Sequence, residues 1–397
     1  MQRNTQIAVA ALIIVIVVVG VAWYALTPPP APPAPPTLLT VSFANVPNLD
    51  PAVGSDEASS VAFVNLYDTL VYPTSTGDVE ANVATSWSSS EDGLTWTFKL
   101  RNDVKFHDGS ALTAKDVVFS LNRMVTMGQG YSYLFTPYVD QVSAPDDQTV
   151  VIVLKSKLGP FISFLVRIYI LNEDLVRSHI KTPGAYGDNG DYGTDWLLTN
   201  DAGSGPYKIK EVKLQEYLLL ERFKDYWGEF GPNAPDEVKM LGTTEPVTIK
   251  TLMSKGELDI TDRWQSVESI DALSKISGVK IVSIPTSAEF YLMMNTKKPP
   301  TDDVYFRAAI TYAFDYQTVV DKLFPGSPQA AGPVPSALPG HDPTAVKYTR
   351  DLTKAAEFLK MSKYYNKLDS YPVVFHWIAE VPDEEKVALL FAANMKD

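Results

Sequence analysis

One stretch of the sequence, residues 82–124, constrains its own local structure more than any other. Apolar residues alternate with polar ones in it, a period of two that buries one face of a β-strand: Leu94, Trp96, Phe98 and Leu100. Turn sequences that contain glycine flank this strand on both sides. Thr113 and Asp116 form a capping-box pattern, so a helix is predicted from about Ala114 toward Met124. The stretch therefore predicts a turn, a strand, a second turn and a capped helix.

Six shorter motifs occur along the rest of the chain: Asn48-Leu49-Asp50-Pro51, Leu66-Tyr67-Asp68-Thr69-Leu70-Val71, Gly203-Ser204-Gly205-Pro206-Tyr207, Asp225-Tyr226-Trp227, Gly256-Glu257-Leu258-Asp259 and the stretch 302–310. Each is weak alone, because such sequences are common in turns and helix ends. In this order, and with the block above, they resemble the extracytoplasmic solute-binding proteins of ABC importers, family 5, the oligopeptide, dipeptide and nickel-binding class. The resemblance covers about residues 38–397.

The resemblance implies an α/β, periplasmic-binding-protein-like two-lobed fold with an extra subdomain inserted in lobe I. Lobe I is expected from residues 38–72 and 200–287, the inserted subdomain from residues 73–199, and the start of lobe II from residues 288–397. Family members continue well past the position of residue 397. We therefore expect lobe II to be incomplete, as in a truncated or split form, or to be finished by a companion segment.

Periodicity and turn residues predict further elements. Strands are predicted at residues 149–154, 208–212 paired with 217–223, near 238, at 258–260, 290–295 and 373–378. Helices are predicted at residues 58–66, 248–255, 302–324, 352–361 and from 382 onward. The strand at residues 290–295 is apolar almost throughout, so it is predicted to be covered on both faces. Residues 184–193, rich in Gly, Asp and Tyr, predict a surface loop.

The amino-terminal residues predict export and a membrane tether. A run from Ile7 to Leu26 has no charged side chain and, as a helix, is long enough to cross a bilayer. Arg3 precedes it, so the bulk of the chain is expected outside the cytoplasm as a single-pass membrane protein. Residues 28–36 contain seven prolines and predict an extended spacer, giving an anchor at 1–26 and a linker at 27–37. A cleaved signal peptide is the alternative interpretation.

Composition excludes several functions. The sequence has no cysteine, which removes disulfides, thiol nucleophiles, thiolate metal sites and lipid attachment through an N-terminal cysteine. A formal net charge of -13 argues against nucleic acid as a partner. The four histidines have no ligand spacing, and no H-E-x-x-H or G-x-S-x-G motif occurs. We therefore predict no cofactor, no metal site and no catalytic residue.

The leading hypothesis is a receptor that captures an oligopeptide or oligosaccharide by hinge closure and delivers it to an ABC permease with its ATPase. Its candidate ligand contacts come from the loop after the first motif, a Gly-flanked tyrosine segment and two tryptophans: Gly54, Ser55, Asp56, Glu57, Tyr131, Tyr133, Trp264 and Trp377. Core packing is the alternative for the aromatic residues, and an ordinary acidic turn for the loop.

Two other functions stay open from the sequence. A tethered extracellular hydrolase would use some of the many carboxylates, but no known catalytic arrangement singles any of them out. A ligand sensor or inactive remnant of the same fold would follow from an incomplete second lobe. Peptide-binding relatives hold the amino terminus with an aspartate late in that lobe, a segment this sequence does not reach. Peptide, oligosaccharide and metal chelate therefore remain undecided here.

Overall fold

The computed structural model describes residues 36–74, 77–284, 288–336, 338, 340–379 and 381–396. Its strands are, in order, β1 (Leu38–Phe43), β2 (Val71–Pro73), β3 (Val79–Ala81), β4 (Ala84–Ser89), β5 (Thr95–Leu100), β6 (Val139–Asp146), β7 (Thr149–Leu154), β8 (Tyr207–Lys213), β9 (Tyr217–Arg222) and β10 (Glu237–Gly242). Its α-helices are α1 (Glu57–Leu66), α2 (Ala114–Met127), α3 (Phe161–Phe164), α4 (Glu173–Ser178), α5 (Pro246–Lys255), α6 (Val267–Ser274), α7 (Val304–Ala313), α8 (Tyr316–Thr318), α9 (Leu352–Met361) and α10 (Pro382–Asn394).

The first strand forms a sheet with strands that lie far along the chain. A four-stranded sheet has the order β1-β10-β9-β8, in which β1 and β10 are parallel and the other pairs antiparallel. The predicted hairpin is confirmed as β8 and β9, and the strand near Val238 as β10. The strand predicted at residues 258–260 is reduced to a single bridge between Ile260 and Val41. Here the Asp259 carboxylate, at 2.8 Å, accepts the amide hydrogen of Thr40.

A second, antiparallel sheet contains the stretch that opened the sequence analysis. Its order is β4-β5-β7-β6, and Phe98 on β5 and Ile152 on β7 are fully buried. Helix α2 packs on β6 and β7. It begins with the predicted capping box, in which the Thr113 amide donates to the Asp116 carboxylate at 2.8 Å. The predicted strand and helix are thus confirmed, and one apolar cluster joins both sheets.

The regular elements that the structure describes after residue 288 are all helices. Helix α9 has the predicted bounds, and α10 begins at Pro382 as predicted. The single helix predicted at residues 302–324 is wrong. Helix α7 ends before Phe314, and Asp315 starts α8 by accepting the Thr318 amide hydrogen at 3.0 Å, after which Val319–Leu323 forms a π-helix. The Asp315 amide itself donates to Asn394 on α10 at 2.9 Å, a contact that no local pattern encodes.

Two predicted strands in this half are also wrong. Residues 290–295 and 373–378 form no strand, and neither is covered on both faces, because Met293 is 85% exposed and Val374 is 69% exposed. A strand needs a neighbouring backbone to pair with, and apolar sequence alone does not supply one. No helix in the described part of the chain is both long and apolar enough to span a bilayer; the predicted membrane segment and most of the proline-rich linker lie outside it.

Candidate functional site

The loop that leads into α1 is shaped by its own polar side chains. The Asp50 amide donates to the Asn48 side chain at 2.9 Å, and the Asp50 carboxylate accepts from the Ala52 amide at 3.0 Å. Asp56 caps α1 by accepting the Ser59 amide hydrogen at 3.0 Å. At Gly54 a Cβ atom would lie 2.7 Å from the ring of Phe63, so only glycine fits without a shift. The Asn48-Leu49-Asp50-Pro51 motif therefore fixes a rigid entry to the helix.

A buried ion pair anchors this loop to the second sheet's helix. The Arg123 guanidinium makes two hydrogen bonds of 2.6 Å to the Asp50 carboxylate, and the two side chains are 0% and 1% exposed. Arg123 also donates through Nε to the Tyr192 carbonyl at 2.8 Å. Tyr192 is buried with a φ of 55°, so the predicted surface loop at residues 184–193 reaches the interior at this point. No motif in the sequence marks this ion pair.

Tyr131, a candidate from the Gly-flanked tyrosine segment, lies against the loop. Its hydroxyl donates to the Ser55 carbonyl at 3.0 Å and lies 3.0 Å from the Ser60 hydroxyl. Gly130 permits this approach, because a Cβ atom there would lie 2.9 Å from the Ala52 carbonyl oxygen. The Tyr133 ring lies 6.5 Å from the Tyr131 ring, measured between centroids, and is exposed. A tyrosine face therefore borders residues 54–57.

An arginine side chain also lies beside the Tyr131 ring. The Arg167 guanidinium lies 4.7 Å from the Tyr131 ring centroid, within cation–π range. Arg167 was not among the sequence candidates.

Trp264 contacts Glu57, which follows the same loop. Its indole N–H donates to the Glu57 carboxylate at 2.7 Å. The neighbouring Arg263 pairs with Glu57 at 3.2 Å and lies 4.5 Å above the Trp264 ring. The Trp264 amide donates to Asp262 at 2.8 Å, and burial raises the pKa of Asp262. Arg263 and Asp262 were not singled out from the sequence either.

Seven of the eight sequence candidates thus gather at the amino end of α1, from three distant parts of the chain. Contacts link Tyr133 to Tyr131, Tyr131 to Ser55 and Trp264 to Glu57, and Gly54 and Asp56 are their neighbours in the chain. Trp377 is 45% exposed, and the described residues show no hydrogen bond or ring contact from it to the other seven. Among the described residues no group of acidic or histidine side chains is arranged to hold a metal ion.

Two buried carboxylates, those of Asp68 and Asp201, hold the segment that connects the inserted region to the first sheet. Asp68 accepts from the Ser204 hydroxyl at 2.8 Å and from the Trp227 indole at 3.0 Å, and burial raises the pKa of Asp68. Asp201 contacts His107 through its carboxylate and accepts the Ile209 amide hydrogen at 3.0 Å. The Gly203-Ser204-Gly205-Pro206-Tyr207 motif lies between them, so these contacts account for its position.

The Asp201 contacts predict acid sensitivity. Burial opposes ionisation, but the His107 ring and two backbone amides outweigh it and hold the pKa of Asp201 below its ordinary value of 3.8. This stabilisation is complete above the unfolded pKa and is lost as the pH falls through the lower folded pKa. Urea unfolding from about pH 5 to about pH 3 should show stability falling in the wild type and a shallower fall in Asp201→Asn. If the stability of Asp201→Asn fell as steeply with decreasing pH as that of the wild type, this role of the Asp201 carboxylate would be contradicted.

Asp68 provides a control of opposite sign for that measurement. Burial raises the pKa of Asp68, so the contribution of Asp68 to stability falls as the pH rises. Asp68→Asn should therefore not reduce the loss of stability between about pH 5 and about pH 3.

Solved structures share the fold. The periplasmic binding protein DppA from Helicobacter pylori, solved with the peptide STSA, is 27% identical with a TM-score of 0.71 and covers 83% of this chain and 66% of that chain. The oligopeptide-binding protein AppA from Bacillus subtilis, solved with a nonapeptide, gives 0.76 at 22% identity and covers 91% of this chain and 73% of that chain. The chain is therefore of the mixed α/β, two-lobed periplasmic-binding-protein-like class.

The sequence identifies the family within that class. This chain belongs to the bacterial extracellular solute-binding proteins, family 5, whose middle region matches residues 78–397. The probable D,D-dipeptide-binding periplasmic protein of Escherichia coli K12 is 31% identical over 362 residues, which are 89% of this chain. This chain spans 66% of that relative, just under two thirds of its length. These relatives are named as binding proteins and not as enzymes, in agreement with the prediction that no catalysis occurs.

Proposed function

We propose that this protein is a substrate-binding protein of an ABC importer that captures an oligopeptide and delivers it to the permease. The observation that carries the proposal is the convergence at the amino end of α1. There Ser55 accepts a hydrogen bond from Tyr131, and Glu57, the first residue of α1, accepts one from Trp264. Aromatic faces beside exposed backbone suit a peptide, which offers both amide groups and apolar side chains. The names of the relatives favour the same ligand class.

Hinge closure is the proposed mechanism of capture. The domain boundaries follow the sequence analysis: lobe I from residues 38–72 and 200–287, its subdomain from residues 73–199, and the start of lobe II from residue 288. A ligand that contacts both lobes stabilises the closed state by the difference in its affinity for the two states. Trp377, which lies after residue 288, is kept as the candidate contact from the second lobe.

The proposed location is outside the cytoplasm, with residues 7–26 as a membrane tether. Support comes from the length and apolar composition of that run and from relatives named as periplasmic. Membrane fractionation of cells that express the full chain, with and without residues 1–26, tests the tether. Full-length protein that is recovered only in the soluble fraction would refute it.

A ligand panel tests the function. Thermal unfolding of the full chain would be followed with di-, tetra- and nonapeptide mixtures, the histidine chelate of nickel and an oligosaccharide mixture. A true ligand at one hundred times its dissociation constant stabilises the folded state by about 2.7 kcal/mol. Stabilisation by peptides supports the proposal. Stabilisation by the oligosaccharides alone would favour the second candidate ligand, and no stabilisation by any probe would favour a remnant without binding function.

Trp264→Ala tests the assigned site within that panel. Loss of a central aromatic contact is expected to weaken binding of the stabilising peptide by about tenfold or more. Trp196→Ala is the matched control, because Trp196 is also half-buried but stacks on His179 in the inserted region, with 4.4 Å between ring centroids. Equal affinity of wild type and Trp264→Ala would remove Trp264 from the site. Trp377→Ala, measured in the same way, tests whether Trp377 contacts the ligand.

A further inference from the structure

A small cavity of about 170 Å³ lies between α2 and α4 in the inserted region, and none of its lining residues belongs to the candidate site at the amino end of α1. One face of α2 forms a wall of this cavity, with residues at the i, i+3, i+4 and i+7 spacing of a helix: Lys115, Val118, Phe119 and Asn122. Helix α4 contributes Glu173 and Arg177. A cavity of about 150 Å³ is large enough to hold benzene, so this one has room for a single small ring.

The walls of the cavity are held in place by hydrogen bonds to backbone groups. The Glu173 amide, at the start of α4, donates to the Asp116 carboxylate on α2 at 2.9 Å. The Tyr192 carbonyl accepts from Arg123 on the same helix at 2.8 Å. The two helices and residue 192 are therefore fixed relative to one another, and a ligand would not have to order them on binding.

A buried hydroxyl without a partner lies in this cavity. Tyr192 is 4% exposed and lines the cavity, yet its hydroxyl makes no hydrogen bond to any residue in the described part of the chain. Burial raises the pKa of Tyr192 and the charge of Arg177 opposes that rise, so the hydroxyl lies near the α4 wall. Buried hydroxyl groups are nearly always hydrogen-bonded, so this one is available to a ligand.

The remaining polar groups of the cavity are mostly free donors. Within the residues that the structure describes, the Lys115 ammonium and the Asn122 amide have no hydrogen bond or ion pair. Arg177 uses only its Nε, which donates to the Glu173 carboxylate at 2.6 Å. Two cations and one carboxylate line the cavity, which gives a net charge of +1 (2 minus 1). This donor-rich lining suits an anion that carries one charge.

The apolar part of the cavity is aromatic. The rings of Phe119 and Tyr192 meet edge to face, with 5.8 Å between centroids, and the Arg177 guanidinium lies 5.0 Å from the Phe119 centroid. Such rings pack well on another flat ring. The Glu173 carboxylate would repel the second charge of a phosphate.

We propose that this cavity is a second binding site, for a small monocarboxylate with an aromatic body. The carboxylate accepts from the free donors of the cavity, and the ring packs on Phe119. This site goes beyond the proposed capture of an oligopeptide and uses none of the residues assigned to that capture.

Titration calorimetry of the full chain with benzoate at neutral pH tests the site. Benzylammonium matches benzoate in size but has the opposite charge, acetate lacks the ring, and inorganic phosphate lacks the apolar body. We expect saturable binding of benzoate with one site for each chain. The other three probes should bind more weakly by about tenfold or more, since each lacks one of the features that the cavity complements.

Matched variants locate the bound benzoate. Tyr192→Phe keeps the ring and removes the hydroxyl, and it should weaken binding by about fivefold, as expected for one hydrogen bond. Lys115→Gln, at an exposed position where folding should be unaffected, should weaken binding by a similar factor. Lys105→Gln is the control, because Lys105 is also exposed in the inserted region but does not line the cavity. Trp264→Ala should leave benzoate binding unchanged.

Four outcomes would overturn the proposal. They are no saturable binding of benzoate, equally tight binding of any of the other three probes, wild-type affinity in both Tyr192→Phe and Lys115→Gln, and loss of benzoate binding in Trp264→Ala. The last result would place benzoate in the candidate site for the transported ligand. None of these measurements uses an oligopeptide, so failure of this proposal would leave the proposed function intact.

Discussion

Arg123→Met is expected to lower the free energy of unfolding by about 3–5 kcal/mol, the cost of breaking a buried ion pair on one side. The Asp50 carboxylate is 1% exposed and takes both of its 2.6 Å hydrogen bonds from Arg123. With methionine in place of arginine, a buried charge loses its partner and the Tyr192 carbonyl loses a donor. Equilibrium urea unfolding of the full chain, followed by circular dichroism, gives the magnitude.

An exposed ion pair provides the comparison for Arg123→Met. Arg177 pairs with Glu173 at 2.6 Å on α4, but its side chain is 47% exposed. Arg177→Met should therefore cost less than about 1 kcal/mol. A double variant, Arg123→Met with Asp50→Asn, should lose less than the sum of the two single losses, because no charge is left buried alone. Equal losses for Arg123→Met and Arg177→Met would contradict the role given to the buried pair.

The Arg123 variant also has a functional expectation. Asp50 fixes the loop whose Ser55 carbonyl accepts from Tyr131, so loosening the loop should weaken ligand binding even where the protein is still folded. Affinity measured below the unfolding transition separates this effect from simple unfolding. Unchanged affinity in the folded fraction would show that the ion pair serves stability alone.

Gly203→Ala is expected to destabilise the protein by about 3 kcal/mol, through overpacking against fixed backbone. A Cβ atom at residue 203 would lie 1.8 Å from the Leu66 carbonyl oxygen, and that oxygen already accepts the Gly205 amide hydrogen at 3.0 Å. The Gly203 carbonyl accepts from the His107 amide at 2.8 Å, so the segment around Gly203 cannot move away without losing that bond. Thermal unfolding of the variant gives the effect.

Gly159→Ala is the matched control for this substitution. Gly159 is exposed, its added Cβ would meet nothing within 4 Å, and its φ is not in the left-handed region. Its change in stability should stay within about 0.5 kcal/mol. A Gly203→Ala protein as stable as Gly159→Ala would mean that the close approach at Leu66 relaxes without cost.

Much of the fold could be predicted from local sequence. The alternation around Phe98 predicted β5, the Thr113 and Asp116 pair predicted the start of α2, and α9 has the predicted bounds. These signals work because side-chain period, caps and turns act over a few residues. The helix predicted at residues 302–324 failed for the opposite reason, since Asn394 holds the break at Asp315 from far along the chain.

The candidate site was predictable only in its parts. The resemblance pointed to residues 54–57, and local sequence context offered Tyr131 and Trp264 as aromatic candidates; the tertiary structure joins them at one helix end. Arg123, Arg167 and Arg263 were missed, because nothing in the sequence near them marks a buried pair or a ring contact. Asp50, Tyr131 and Glu57, which these arginines contact, are distant from them in the chain, so only the folded backbone brings the groups together.

Sequence by itself determined the capped start of α2, the bounds of α9, the hairpin of β8 and β9, and which family of proteins the chain resembles. Tertiary structure alone decided which of the apolar segments became strands. Residues 149–154 and 290–295 are both strongly apolar, yet only the first has neighbours on both sides in a sheet. The reason is that a helix satisfies its backbone within one segment, whereas a strand exists only when another strand supplies its hydrogen bonds.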